Sequence, residues 1–186
     1  ERVSKTLLDL TQRVYQQGDD ANAMLNREAC YRSLELCHTT MVGRGERRLN
    51  FSEWFQAELL PILQTDLDES TPVAMKAMQA RAVQVVQAYS TSLKTGEFGI
   101  AFQTIARLIA AKDLVTAFCS ARCINKLALL HVKGETESAE LISVREHSVF
   151  ALGNAFALAN KAESEECLRV SLLANHMCAA SWPASN

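Results

Sequence analysis

The chain has 186 residues, 48% of them hydrophobic, and a formal net charge of -2, which is enough apolar material for one good core. A pI near 6.1 argues against a surface whose main purpose is to bind nucleic acid or anionic membranes. Neither a targeting peptide nor an apolar run of membrane length is found, so we expect a soluble, intracellular product.

The first part of the chain predicts two helices, because apolar residues recur there at steps of three and four. One runs over 2–17 and is followed by Gly18, the residue type most common just past a helix end. The second begins at Asn26, a capping residue, and continues to Met41, with Ala29 among the side chains expected to face inward. Both helices need neighbours to cover their apolar faces.

The third helix, over 50–63, is strongly apolar. Asn50 offers a side-chain oxygen to the first free amides, and Glu53 three places on completes the pattern of a capping box. Pro61 lacks an amide hydrogen and crowds the preceding turn, so we expect a bend or an early end there. A bent apolar helix is typical of a curved stack of helices.

Five further helices are predicted downstream. Ser70, Thr71 and Pro72 carry the start signal of the fourth, and Asp113 can cap the sixth. These helices are expected over 72–93, 98–109, 114–132, 139–160 and 164–180. Side chains expected to face inward include Val73, Leu114, Val115, Leu130, Phe150 and Phe156. Since no alternating strand pattern occurs, the predicted fold class is all-α, with about eight helices.

The helix starts suggest a repeat. Every second helix begins after about 42 to 51 residues, which brackets the period of HEAT and armadillo repeats. The pattern predicts antiparallel helix pairs stacked as a HEAT-repeat α-α superhelix, with the whole chain as one segment of a larger solenoid. Complete repeats are expected over 26–64, 71–111 and 113–161, flanked by half repeats over 1–18 and 164–180.

Four stretches of sequence carry a family resemblance. They read Arg-Glu-Ala-Cys-Tyr-Arg at 27–32, Phe-Ser-Glu-Trp-Phe and Glu-Leu-Leu-Pro-Ile-Leu within 49–64, Ala-Arg-Ala-Val at 80–83, and Asp-Leu-Val at 113–115. In this order and spacing they resemble the importin-β (karyopherin) superfamily of nuclear transport receptors, in particular the branch of importin eleven and the CAS-type exportin. The resemblance covers about residues 25–132. Ala117 departs from it, because the family often has an arginine of a polar ladder at that position.

The resemblance implies a HEAT-repeat receptor of the nucleus and cytoplasm that carries protein cargo through the nuclear pore under control of the GTPase Ran. It implies cargo on the curved surface and nucleoporin phenylalanine-glycine repeats on the outer helices. Ran would bind repeats nearer the N-terminus of the whole protein. Because residue 1 is Glu rather than Met and the matched region looks internal, we expect a segment of a longer receptor, with the Ran site outside it.

Two groups of residues are candidates for partner contact. Arg44, Arg47 and Arg48 form a cluster between the second and third helices that suits an acidic cargo, with a solvated loop as the alternative. Trp54 and Phe55 are expected to pack in the core against the second and fourth helices, with a pocket for a partner's phenylalanine as the alternative.

We expect no enzyme, no metal and no cofactor. Cys119 and Cys123 share a helix face, but no second ligand pair accompanies them. Cys37 and His38 are adjacent on a helix and point about 100° apart, unlike a nucleophile and its base. The histidines are scattered, namely His38, His131, His147 and His176. Glycine loops for nucleotides and the common hydrolase motifs are missing.

Two alternatives to a transport receptor stay open. A HEAT scaffold for a phosphatase, a kinase or a trafficking coat would show the same helix pattern, and the sequence that precedes residue 1 would discriminate it from a receptor. A compact helical-bundle enzyme would instead need a closed pocket with convergent polar groups.

Overall fold

A computed structural model describes residues 6, 9–10, 13–14, 21–41, 50–132 and 139–161. All regular structure in this described part is helical, which confirms the all-α prediction. It contains six main helices, where about eight were expected for the whole chain. The predicted helix over 164–180 lies outside the described residues, and the one over 2–17 is described only at isolated positions, all of them helical.

The main helices are labelled α1 to α6 in chain order. They are α1 at Ala21–Leu36, α2 at 51–64, α3 at Val73–Ala88, α4 at Thr95–Leu108, α5 at Leu114–Val132 and α6 at Ala139–Lys161. The chain divides into two compact units, Glu1–Leu93 with α1 to α3 and Lys94–Asn186 with α4 to α6. This division falls inside the predicted repeat 71–111, and the repeat boundaries themselves stay a prediction.

In the first unit, α1 and α3 lie side by side and run in the same direction. Arg81 of α3 meets Glu28 in the first half of α1, whereas Tyr89, just after α3, meets Leu34 near the end of α1. α2 packs against α3. Among the described residues of this unit, the large, fully buried side chains are Tyr31, Leu34, Phe55, Leu59, Leu63 and Tyr89.

α2 continues through Pro61 and does not end there. In its middle it forms a π-helix turn, Phe55–Leu59, and the Leu60 N–H donates to the Phe55 carbonyl five residues back rather than four. Pro61 has no amide hydrogen and its ring crowds the preceding turn, so a wider turn just before it lets the helix continue to Gln64. The prediction that the helix would end early at Pro61 is therefore wrong.

In the second unit, α4, α5 and α6 each contact the other two. The large, fully buried side chains described in this unit are Phe98, Phe102, Ile105, Ile109 and Ile124. α6 turns mostly small side chains toward this core, among them Ala151 and Ala155. Small side chains let a helix approach its neighbours closely, so these alanines let α6 pack near α4 and α5.

The starts of α2 and α5 follow the sequence, but one cap differs. α5 begins after Asp113, whose Oδ2 accepts from the Thr116 N–H at 2.8 Å, as predicted. α2 begins after Asn50, but the Asn50 side chain caps no backbone amide. Its Nδ2 donates instead to Glu53 Oε2 at 3.2 Å, so the predicted capping box is wrong. The two side chains satisfy each other directly because they lie on adjacent turns.

The start of α3 also differs from the prediction. Pro72 is the residue before the first turn rather than its first member, and no side chain caps the helix. The hydroxyls of Ser70 and Thr71 donate to Asp68 Oδ1 at 2.7 and 3.0 Å. These hydrogen bonds to the charged form lower the pKa of Asp68. The predicted hydroxyl cap is absent because Asp68 engages both hydroxyls in the preceding loop.

Several side chains that the periodicity placed inward are exposed. They are Ala29, Val73, Leu114, Val115, Leu130, Phe150 and Phe156. Val73, Leu114 and Val115 lie in the first turn of their helices, where packing against the core begins. α6 is apolar around most of its circumference, so periodicity alone does not single out the face that packs.

Candidate functional site

The predicted contact cluster of Arg44, Arg47 and Arg48 lies outside the described residues. The described chain stops at residue 41 and resumes at residue 50, so the cluster belongs to the connection that precedes α2. Its role in binding a partner stays a prediction.

The aromatic side chains of α2 form the core of the first unit. Trp54 meets Tyr31 of α1 edge to face with ring centroids 5.2 Å apart, and it lies 6.3 Å from Tyr89. Phe51 stacks on Tyr89, with centroids 4.7 Å apart and planes 4° from parallel. Trp54 is only 7% exposed and Phe55 is fully buried. These contacts confirm the core prediction for Trp54 and Phe55 and exclude the open pocket.

Arg81 ties α1 to α3 through an ion-pair network. Its Nε donates to Glu28 Oε1 at 2.7 Å, its Nη1 donates to Glu35 Oε2 at 2.6 Å, and the Gln84 amide oxygen also accepts from Nη1. Glu28 and Glu35 are two helical turns apart and so share one face of α1. Burial opposes the charge on Arg81, but its hydrogen bonds to the two carboxylates outweigh burial and raise the pKa of Arg81. The network is a clamp between two helices.

At three helix C-termini, a backbone carbonyl accepts a hydrogen bond from a side chain that is distant in sequence but belongs to the same unit. The last carbonyls of a helix lack intrahelical donors and need other partners. The pairs are Tyr89 Oη with Leu34 O at 3.0 Å, Gln79 Nε2 with Ile62 O at 3.0 Å and Thr65 O at 2.7 Å, and Asn154 Nδ2 with Ala106 O at 3.1 Å.

Sequence reasoning missed these C-terminal caps. The available signal was a polar side chain on an apolar face. Gln79, for example, stands between Met78 and Ala80 and is itself only 2% exposed. That signal shows that a partner must exist, because a buried amide without one is costly. It does not show which helix end supplies the partner.

Cysteine and histidine side chains show no activated pair in the described part of the chain. No three His, Cys, Asp or Glu side chains lie together there in a way that could hold a metal ion. Cys123 is completely buried, and burial raises the pKa of its thiol, which keeps it protonated. His38 Nδ1 donates to the Glu35 carbonyl at 3.1 Å, which holds the ring against the end of α1. The side chains of His131 and His176 lie outside the described residues.

α6 exposes an apolar face, which we name the α6 outer face and define by Ile142, Val149, Phe150, Gly153 and Phe156. The exposed fractions of its large side chains are 44% for Ile142, 79% for Val149, 51% for Phe150 and 47% for Phe156. Glu146, one helical turn from both Ile142 and Phe150, is also exposed, so the apolar part of this face lies mainly over Val149 to Phe156. Exposed apolar patches larger than a single side chain mark interaction sites in soluble proteins. The α6 outer face is therefore the candidate binding surface among the described residues.

Comparisons with protein-family models, with curated proteins and with solved structures find no match to this chain. The importin-β resemblance therefore rests on the four sequence motifs alone. None of the helices in the described ranges is long and apolar enough to span a membrane.

Proposed function

We propose that this chain is a protein-binding segment of a nuclear transport receptor built from HEAT-type helix pairs. The observation that supports this most is the parallel, side-by-side packing of α1 and α3, clamped by Arg81 to Glu28 and Glu35. These two helices are the first helices of two successive predicted repeats. In a helical solenoid each repeat buries its apolar face against the next, and equivalent helices lie beside each other.

The packing of α2 supports the same proposal. This helix carries the most distinctive part of the family resemblance, and its Trp54 reaches both Tyr31 of α1 and Tyr89 after α3. Trp54, which belongs to that resemblance, is therefore a core residue that joins one helix pair to the next. A motif that preserves a repeat architecture would be expected to act in this way.

Small-angle scattering of the 186-residue chain tests the repeat arrangement. A compact fold of this length has a radius of gyration of about 16 Å. A stack of helix pairs is longer, and we expect a larger radius for the monomer in dilute solution. A value at the compact limit would contradict the stack and favour the helical-bundle alternative.

Retention on Ran tests the transport function with the complete parent protein. We expect Ran locked in its GTP state to retain that protein, while Ran in its GDP state, the matched control, does not. Capture on phenylalanine-glycine nucleoporin repeats is expected in parallel. If neither Ran form retains the parent protein, the transport proposal is wrong and the non-transport HEAT scaffold becomes the better explanation.

A further inference from the structure

We propose that the α6 outer face binds the C-terminal segment of the same chain, residues 164–180, which folds back along α6 as its antiparallel neighbour. The described part of the second unit ends with α6 at Lys161, and another 25 residues follow in the sequence. They include the last predicted helix, which lies outside the described residues. The occupant of the face is therefore the next element of the chain.

Among the described residues, only one side of α6 is open to such a neighbour. The inner side contacts α4 and α5 and buries Val144, Ala151, Ala155 and Leu158. The opposite side is exposed over its last three turns and carries no charged residue there, unlike the exposed side of an ordinary surface helix. Its exposed residues in these turns are Val149, Phe150, Gly153, Phe156, Ala157 and Asn160.

The connection after α6 is short enough for the chain to turn back at once. Only residues 162 and 163 separate Lys161 from Ser164, the predicted start of the last helix. Connections of about two to five residues join antiparallel neighbouring helices. Because α4 and α5 already cover the inner side of α6, a helix that turns back from Lys161 is directed to the α6 outer face.

The composition of the segment matches the uncharged part of the face. No Asp, Glu, Lys or Arg occurs between Val170 and Asn186. Leu172, Leu173 and Met177 place apolar side chains on more than one side of the predicted helix, and such a helix needs to be buried. An uncharged helix beside an uncharged face lets both become buried without removing a charge from water.

The register and length of this hairpin also fit. A two-residue turn places Leu168 level with Ala157 and Leu172 level with Gly153, so large side chains of the segment meet small residues of α6. The predicted helix over 164–180 is about 25 Å long and reaches back to about the level of Glu146. Glu146 is exposed on the same side, but it lies at the end of the covered stretch, where its carboxylate keeps contact with water.

Site-specific photo-crosslinking of the full 186-residue chain tests the proposal at low protein concentration. Benzoylphenylalanine replaces Phe150 in one variant and Phe156 in another, and both positions are exposed among the described residues. The same substitution at Ile100 of α4, which is 45% exposed, is the matched control. Circular dichroism checks that each variant has the helix content of wild type. We expect monomer-sized products in which Phe150 and Phe156, but not Ile100, are linked to the C-terminal segment.

Peptide mapping reads out the partner and the direction of the segment. Trypsin separates the α6 peptide 146–161 from the segment peptides 162–169 and 170–186. The antiparallel register places Phe150 level with residue 175 and Phe156 level with residue 169. The link from Phe156 should therefore fall nearer the start of the segment than the link from Phe150. A dimer-sized product, a link to another element or no link from either position overturns the proposal.

A charge in the segment provides a second test. Leu172→Asp in the Phe150 photo-variant should lower the yield of the link at least about tenfold, because burial of an unpaired carboxylate is costly. Ala184→Asp introduces the same charge beyond the predicted helix and is the control, with an unchanged yield expected. Equal yields for the two variants would show that the link does not come from a packed helix and would also overturn the proposal.

Discussion

The phenolic hydroxyl of Tyr89 donates a hydrogen bond to the carbonyl oxygen of Leu34 at 3.0 Å, across 55 residues of sequence. Leu34 lies in the last turn of α1, where carbonyls run out of intrahelical donors. The ring of Tyr89 also stacks on Phe51 of α2. One side chain, placed just after α3, therefore joins all three helices of the first unit.

Tyr89→Phe should lower the free energy of unfolding by about 1 to 2 kcal/mol. The ring and its stack on Phe51 remain, but the buried Leu34 carbonyl loses its side-chain donor. Urea unfolding followed by circular dichroism measures the change. Thr91→Ala, at an exposed position two residues later, is the control and should leave stability within about 0.5 kcal/mol of wild type. Equal midpoints for Tyr89→Phe and wild type would show that the bond contributes nothing.

Stability should fall at alkaline pH because of Tyr89. Burial, with a smaller contribution from Cys37 nearby, raises the pKa of Tyr89 above its ordinary value of 10.0. Above pH 10 the phenol of Tyr89 keeps its proton in the folded chain but releases it in the unfolded chain. The contribution of Tyr89 to the free energy of unfolding is therefore complete below pH 10 and is lost as pH rises further. The predicted slope is up to about 1.4 kcal/mol per pH unit.

Urea unfolding of wild type and Tyr89→Phe at several pH values isolates this slope from the titration of other groups. The difference in stability between the two proteins should shrink above about pH 10. A difference that stays constant up to about pH 11 would contradict a buried, neutral phenol.

Arg81→Met should lower the free energy of unfolding by about 1 to 3 kcal/mol, because it leaves Glu28 and Glu35 without their cation. The side chains are partly exposed, which moderates the effect. A double-mutant cycle with Glu35→Gln measures the coupling, and high salt should reduce it. Arg122→Met, on the exposed side of α5, is the control. A coupling of zero would show that the clamp is energetically neutral.

Trp54→Ala should lower the free energy of unfolding by about 3 to 5 kcal/mol, since it removes a large side chain from the core of the first unit. Trp54→Phe should be milder, at roughly 1 to 2 kcal/mol, because the described residues provide no hydrogen-bond partner for the indole Nε1. Thermal or urea unfolding measures both. If Trp54→Ala were as stable as wild type, Trp54 would not be a core residue.

Cys123 should resist alkylation in the folded protein. It is completely buried, and the raised pKa of its thiol keeps the reactive thiolate scarce. Cys37, which is partly exposed, provides the internal comparison. Iodoacetamide labelling followed by peptide mass spectrometry should show Cys37 modified first and Cys123 modified only after urea is added. Equal rates in native buffer would contradict the packing of α5.

The sequence predicted local features best. The all-α class, the start of α2 after Asn50, the Asp113 cap of α5 and the burial of Trp54 and Phe55 all followed from patterns within about one or two helical turns. Such patterns depend on backbone geometry and on side chains that are near in sequence, so residue order alone determines them. The candidate surface was not predicted, because Phe150 and Phe156 were expected to face inward.

Only the tertiary structure decided which residues that are distant in sequence form hydrogen bonds and ion pairs with each other. The Tyr89 bond to Leu34, the Gln79 and Asn154 bonds to carbonyls at helix ends, and the Arg81 clamp each join residues that residue order does not pair. The same holds for α6, where nearly every face is apolar. Ala151 and Ala155 pack inward with Val144 and Leu158, whereas Phe150 and Phe156 are exposed, because closeness to neighbouring helices, rather than hydrophobicity alone, selects the buried face.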